Sequence, residues 1–300
     1  MLQCTDRSAH AGEGRTRLCS QLAVAGAAVL FGSTFLVVKG ALSGAGPVPF
    51  VAVRFLIAAA ILAPVAWRRP ATPGEWGAGV AAGVPLLAGY LLQTAGLRLV
   101  TSSVSAFITD LLVVIVPVLS AMAWKRWPRA RVWAGAALAG GGLYLLTGAR
   151  PTLGLGEALT LGCALGFALN LVVLARVASR HDPVRLTAIQ LAVVGVGALV
   201  PGFFYGGYGL SGGALLAALY TAVVASVLAF VLQTWGQRRL SASRAALLLM
   251  LEPVTAAMVG LATGVPLRPL AAVGAGLVLA GIAVSEALPS PRRRLRPARR

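Results

Sequence analysis

The chain has 300 residues, of which 58% are hydrophobic and only 11% charged, with a mean hydropathy of +0.85. A soluble domain carries about 25% charged residues, so this composition excludes a water-soluble enzyme and a disordered chain. The net charge of +18 comes from 26 Lys and Arg against 8 Asp and Glu. These cations punctuate apolar runs and form no solvated basic face with interleaved aromatics, so nucleic acid is not an expected partner.

In chain order, residues 1–20 read as a cytoplasmic N-tail that runs straight into a long apolar stretch. No polar mature domain follows it, so the stretch reads as a retained first helix and not a cleaved leader. The interruptions between apolar runs predict helices at 21–40, 47–67, 76–96, 104–124 and 132–149. Five more are predicted at 157–177, 184–204, 212–236, 245–264 and 269–287, and residues 289–300 read as a basic cytoplasmic C-tail. Each run approaches the ~20 residues that span a bilayer. The three cysteines (Cys4, Cys19 and Cys163) show no paired spacing, and His10 and His181 fall in predicted tails or loops. No metal site, cofactor or disulfide framework is expected.

Orientation follows from where the cations lie. With the N-terminus inside, twenty-one of the 26 basic residues fall on cytoplasmic tails and connections. Lys39, Arg98, Arg150 and Arg268 fall outside, and Arg54 lies within a helix. All six tryptophans fall at predicted cytoplasmic helix ends, where an amphipathic ring prefers to sit. The expectation is a multi-pass protein of the plasma membrane with both termini cytoplasmic.

The two halves align. Gly26, Ala28, Phe31, Thr34, Pro47 and Arg54 match Gly162, Ala164, Phe167, Asn170, Pro183 and Gln190 at an offset of 136. Gln93-Thr94-Ala95-Gly96-Leu97-Arg98 lies over Gln233-Thr234-Trp235-Gly236-Gln237-Arg238 at an offset of 140. Gly135, Ala136, Leu138 and Gly142 lie over Gly274, Ala275, Leu277 and Gly281 at 139. The expected fold is therefore all-α and integral to the membrane: ten transmembrane helices as two inverted five-helix repeats, 21–150 and 157–288. An odd number of spans per copy reverses the second copy, the arrangement that lets secondary transporters open to either face.

Phe31-Gly32-Ser33-Thr34-Phe35…Lys39 resembles the first-helix motif of EamA-type members of the drug/metabolite transporter superfamily, with Phe31 where tryptophan is usual. Phe50…Arg54-Phe55 is similar to their second-helix signature, Ala106–Asp110 through Pro117 to their fourth helix, and Leu251-Glu252-Pro253-Val254 to their ninth. The resemblance covers roughly 20–288. It implies ten helices in two inverted repeats that move small metabolites such as amino acids.

Charges at mid-helix cost about 2.5–3.5 kcal/mol on insertion scales and need a reason. Arg54 and Asp110 lie at matching depths, ~10 Å and ~9 Å from the outer ends of their helices. An Arg54–Asp110 pair is feasible, either as a packing device or as a substrate or proton site. Glu252 lies directly before Pro253 and is a candidate proton or amine site, or a partner of Arg244, or a side chain reaching toward water. Thr34, Gln93, Asn170, Gln190 and Gln233 are neutral groups at membrane depth that either bridge helices or contact substrate. The Gly140-Gly141-Gly142 run reads as a helix-packing site.

No catalytic residue is expected. The leading reading is a secondary transporter, an exporter of small amphipathic metabolites working by alternating access, with proton coupling and facilitated diffusion both open. The alternative is an intramembrane lipid or polyprenyl-phosphate transferase, which would need clustered carboxylates or a histidine pair. The expected partners are a small-molecule substrate and the bilayer, in a monomer or homodimer.

Overall fold

The structure, a computed structural model, describes residues 4–68, 70–149, 154–205, 207–264, 266 and 268–286. The basic tail at 289–300 lies outside the described residues. Among these, every regular element is helical. They are α1 (Cys4–Ala41), α2 (Pro47–Ala66), α3 (Pro73–Gly96), α4 (Ser102–Asp110), α5 (Leu112–Trp124), α6 (Ala130–Thr147) and α7 (Leu155–Val177). Then come α8 (Pro183–Phe204), α9 (Gly212–Thr221), a π-helical segment (Ala222–Leu228), α10 (Ala229–Gln237), α11 (Ala242–Leu249), α12 (Leu251–Ala262) and α13 (Pro269–Glu286).

The helix starts follow from local chemistry. Prolines Pro47, Pro73 and Pro183 occupy first helical positions, where the missing N–H is no loss. The side chains of Thr72, Thr101, Asp182 and Ser211 accept from backbone N–H groups three residues on. Thr72 and Glu75 complete a reciprocal capping box, which satisfies two orphan groups at once. The helix α1 begins well before the predicted start at residue 21, since its polar first turns continue the same rod.

Two predicted helices are each divided. The stretch expected at 104–124 turns at Leu111 (φ −58°, ψ −9°) into α4 and α5. The stretch expected at 245–264 turns at Met250 (φ −62°, ψ −8°) into α11 and α12. At the second break Pro253, in the first turn of α12, has no N–H to offer the carbonyl of Leu249, and a proline is tolerated there. Pro117 lies six residues beyond Leu111, too far along α5 to play that part, and nothing in the structure gives the turn at Leu111 an equally direct cause.

Eight helical stretches are long and apolar enough to cross a membrane, with α4–α5, α9–α10 and α11–α12 each taken as one. The exceptions are the glycine-rich α6 and the shorter α13. Side chains on the outside of the bundle are apolar, including Met122, Val200, Phe203, Phe204 and Leu216 at 66–81% exposure. An apolar surface this extensive is unsuited to water and suited to lipid.

Inside, small residues bring backbones together, as packing between helices in lipid requires. The helices α6 and α13 run antiparallel: a Cβ at Gly135 would lie 2.6 Å from the Gly281 carbonyl, and one at Gly142 2.5 Å from that of Gly274. The pair α2 and α8 is also antiparallel, with Arg185 bonded to the Ala66 carbonyl and Gly195 against Leu56. Gly89 meets Phe167 and Gly96 meets Thr160 where α3 lies along α7. Gly236 meets Ser20 and Val24 where α10 lies along α1, and Gly32 meets Glu252 and Thr255 where α12 does. In the glycine run, only Gly142 packs; nothing lies within 4 Å of a Cβ built at Gly140 or Gly141. The run is thus a packing site through its last glycine.

One end of the bundle carries two tryptophan pairs. Trp67 stacks on Trp76 at 6.4 Å, and Trp127 lies 6.4 Å from Trp133. Beside the first pair, Arg185 Nη1 donates to Glu75 Oε2 at 2.6 Å, with side chains 9% and 11% exposed. Glu75→Gln leaves Arg185 largely buried with a neutral acceptor. It should lower stability by about 1.5–3 kcal/mol, the scale of a hydrogen bond to a charged group, read as a drop in melting temperature of the purified protein.

Candidate functional site

A cavity of about 430 Å³ enters the bundle from the end opposite the tryptophans. Lys39, Pro47, Leu97 and Arg98 line its mouth, where α1 and α3 end and α2 begins. Arg98 also lies over the Tyr205 ring, 4.9 Å from its centroid. Seven of the eight residues singled out in the sequence line the cavity: Thr34, Arg54, Gln93, Asp110, Asn170, Gln233 and Glu252.

The deep wall is aromatic. Phe31 and Phe230 meet edge to face at 5.1 Å, Phe55 and Tyr90 at 4.8 Å, and Tyr90 and Phe167 at 5.1 Å. Edge-to-face contacts of this kind match the positive edge of one ring to the negative face of the next. Phe31 and Phe167, matched between the halves, both contribute to it.

The charged groups come from both halves: Arg54 from α2, Asp110 from the end of α4, and Glu252 from the start of α12. The breaks at Leu111 and Met250 put both carboxylates at helix ends inside the bundle, where irregular backbone is tolerated because it borders a cavity. All three line the one cavity, so a guanidinium and two carboxyl groups share its wall. The feasible Arg54–Asp110 pair does not form among the described residues. Arg54 Nε instead donates to Ser226 Oγ at 2.8 Å, and its guanidinium lies 5.2 Å from the Phe55 ring centroid.

Gln190 stands behind the cavity, fully buried, in a neutral network. Its Oε1 accepts from Asn170 Nδ2 at 3.1 Å, and its Nε2 donates to Thr234 Oγ1 at 3.3 Å. Asn170 also donates to the Ala82 carbonyl at 2.8 Å, and Gln237 to that of Leu171 at 3.0 Å. Thr34 bonds back to the Phe31 carbonyl. Buried amides in such networks hold helices together. Gln190 and Thr234 are thus spent on this network, while their counterparts Arg54 and Thr94 line the cavity; Asn170, like its counterpart Thr34, borders the cavity as well. Ser226, Tyr90 and Thr94 were missed as candidates, because a hydroxyl within an apolar run is an ordinary membrane-helix residue until its neighbours are known.

The family model for the EamA-like transporter family matches the chain twice, over residues 19–148 and 154–286. A relative from Archaeoglobus fulgidus, named an uncharacterized transporter, is 32% identical over 276 residues, covering 91% of this chain and 87% of its own. A second protein of that name and organism is 30% identical over 145 residues, 48% of this chain and 52% of the relative. A protein of known crystal structure superposes with a TM-score of 0.76 over 89% of this chain and 96% of the other, at 21% identity, which speaks to the fold alone. With the twofold match and the charged cavity between the halves, the chain belongs to the EamA-like transporter family of the drug/metabolite transporter superfamily, and is a membrane transporter and not an enzyme.

Proposed function

We propose that the protein is a secondary exporter of small amphipathic metabolites such as amino acids, working by alternating access in the plasma membrane with both termini cytoplasmic. The observation that carries this reading is the convergence of one buried cation and two carboxylates on an aromatic-walled cavity open at one end. A site of about 430 Å³ falls within the range used by small ligands, which runs from about 300 to 1,000 Å³. Arg54 suits a substrate carboxylate, Glu252 or Asp110 an amine or a coupling proton, and the rings an apolar side chain. Thr34, Gln93, Asn170 and Gln233 complete the polar lining, and Gln190 orients Asn170.

The ten-span, inverted-repeat architecture belongs to the same proposal. It is supported by the twofold family match and by the antiparallel packing of α2 on α8 and α6 on α13. Each of these pairs joins counterpart helices, which run oppositely if the second copy enters from the other side. With the tryptophan end inside, the cavity faces outward.

Reconstituted liposomes test the reading. Uptake of the twenty ¹⁴C-labelled proteinogenic amino acids is measured with and without a pH gradient, with empty liposomes as control. At least one amino acid should move faster with protein, and Glu252→Gln should abolish gradient-driven accumulation while leaving exchange. Transport of none of the twenty would overturn the substrate class; accumulation surviving in Glu252→Gln would remove Glu252 from coupling.

A further inference from the structure

Equivalent landmarks in the two copies differ in spacing by one residue. In the first, twenty-two residues lead from the N-cap Thr72 to Thr94 of the Gln-Thr pair. In the second, twenty-three lead from the N-cap Ser211 to Thr234. One added residue would turn all that follows by about 100° on a regular helix, and Gln233 would lose its place on the cavity. The chain absorbs it as the π-helical segment 222–228, closed by Ala229 N–H on the carbonyl of Val224, five residues back. The counterpart stretch of α3 is ordinary α-helix.

The widened turn carries Ser226, fully buried, whose Oγ accepts from Arg54 Nε. At the offset of 140 its counterpart is Leu86, which has no hydroxyl. The pairing has no symmetric double, and its other member, Arg54, is a cation placed well inside a predicted span and away from its ends. Single-turn π-bulges recur at functional sites because they re-aim a side chain without disturbing the helix on either side.

Building on the proposed role of Arg54, we propose that Ser226 is a positioning residue created by this insertion. It holds the guanidinium by Nε, so that the terminal nitrogens stay available to an anionic group of the substrate and do not collapse onto Glu252. A guanidinium anchored at one edge offers its other edge in a fixed fork, the geometry that carboxylates match.

Phenylglyoxal, which modifies accessible guanidinium groups, tests this without a substrate. Adduct formation at Arg54 is followed by mass spectrometry in the purified protein. Ser226→Ala should slow it at least threefold, because the released side chain turns to Glu252. Ser226→Thr, which keeps the hydroxyl, and the double variant Ser226→Ala/Glu252→Gln, which removes the competing carboxylate, should both restore it. An unchanged or faster rate in Ser226→Ala overturns the proposal, as does failure of both restoring variants. In liposomes, Ser226→Ala should raise KM about tenfold with little change in maximal rate for any amino acid in the panel that the wild-type protein carries. If the wild-type protein carries none, the substrate reading fails, and the labelling result still decides the role of Ser226.

Discussion

Replacing Arg54 by glutamine should reduce transport of a carboxylate-bearing substrate about 100-fold, which corresponds to ~2.7 kcal/mol. The side chain is 7% exposed, yet it lines the cavity. Its Nε is taken by Ser226, and the carboxylates Glu252 and Asp110 line the same cavity. A cation at this depth is costly to insert, and a purely structural role would make its removal a matter of stability. Transport rate and melting temperature measured on the same preparation separate the two. Lost transport with an unchanged melting temperature supports substrate contact; unchanged transport in Arg54→Gln or Arg54→Leu removes Arg54 from the mechanism. Arg54→Lys should recover only part of the rate, since an ammonium cannot match the two-pronged geometry.

The second large effect is expected on stability, at Gly142. A valine there would drive its Cβ into the Gly274 carbonyl, the Val278 amide nitrogen and Leu277 Cβ, at 2.5, 2.7 and 2.9 Å. Two of these are backbone atoms on α13, which cannot swing away as a side chain tip would. Overpacking a tight contact costs about 1–3 kcal/mol, so Gly142→Val should lower the melting temperature clearly. Gly140→Val, two residues earlier on the same helix, places its Cβ where nothing lies within 4 Å and supplies the control. Equal effects of the two substitutions would show that helix propensity, and not contact with α13, decides the outcome.

How legible the site was depends on residue type. Arg54, Asp110 and Glu252 stand out because ionisable groups in apolar runs are expensive, and all three line one cavity. Their partners could not be read the same way. Matching depths made Arg54–Asp110 feasible, but depth leaves rotation about the helix axis open, and the π-helical turn gives Arg54 a serine instead. Gln190 looked like its counterpart Arg54 and stands behind the cavity in a neutral network. The breaks at Leu111 and Met250 also escaped the hydropathy pattern, since one turned residue leaves it intact.

The sequence by itself determined the solvent, the class of fold and the placement of most helices. These are properties of twenty-residue averages, and lipid punishes any segment that departs from them. It also determined which side chains were too costly to be idle. Only the tertiary structure decided which of those side chains meet, which glycine of three carries a contact, and which member of the Arg54–Gln190 pair borders the cavity. Such choices turn on the rotation and close approach of neighbouring helices, where one inserted residue can re-aim a hydroxyl while the average composition hardly changes.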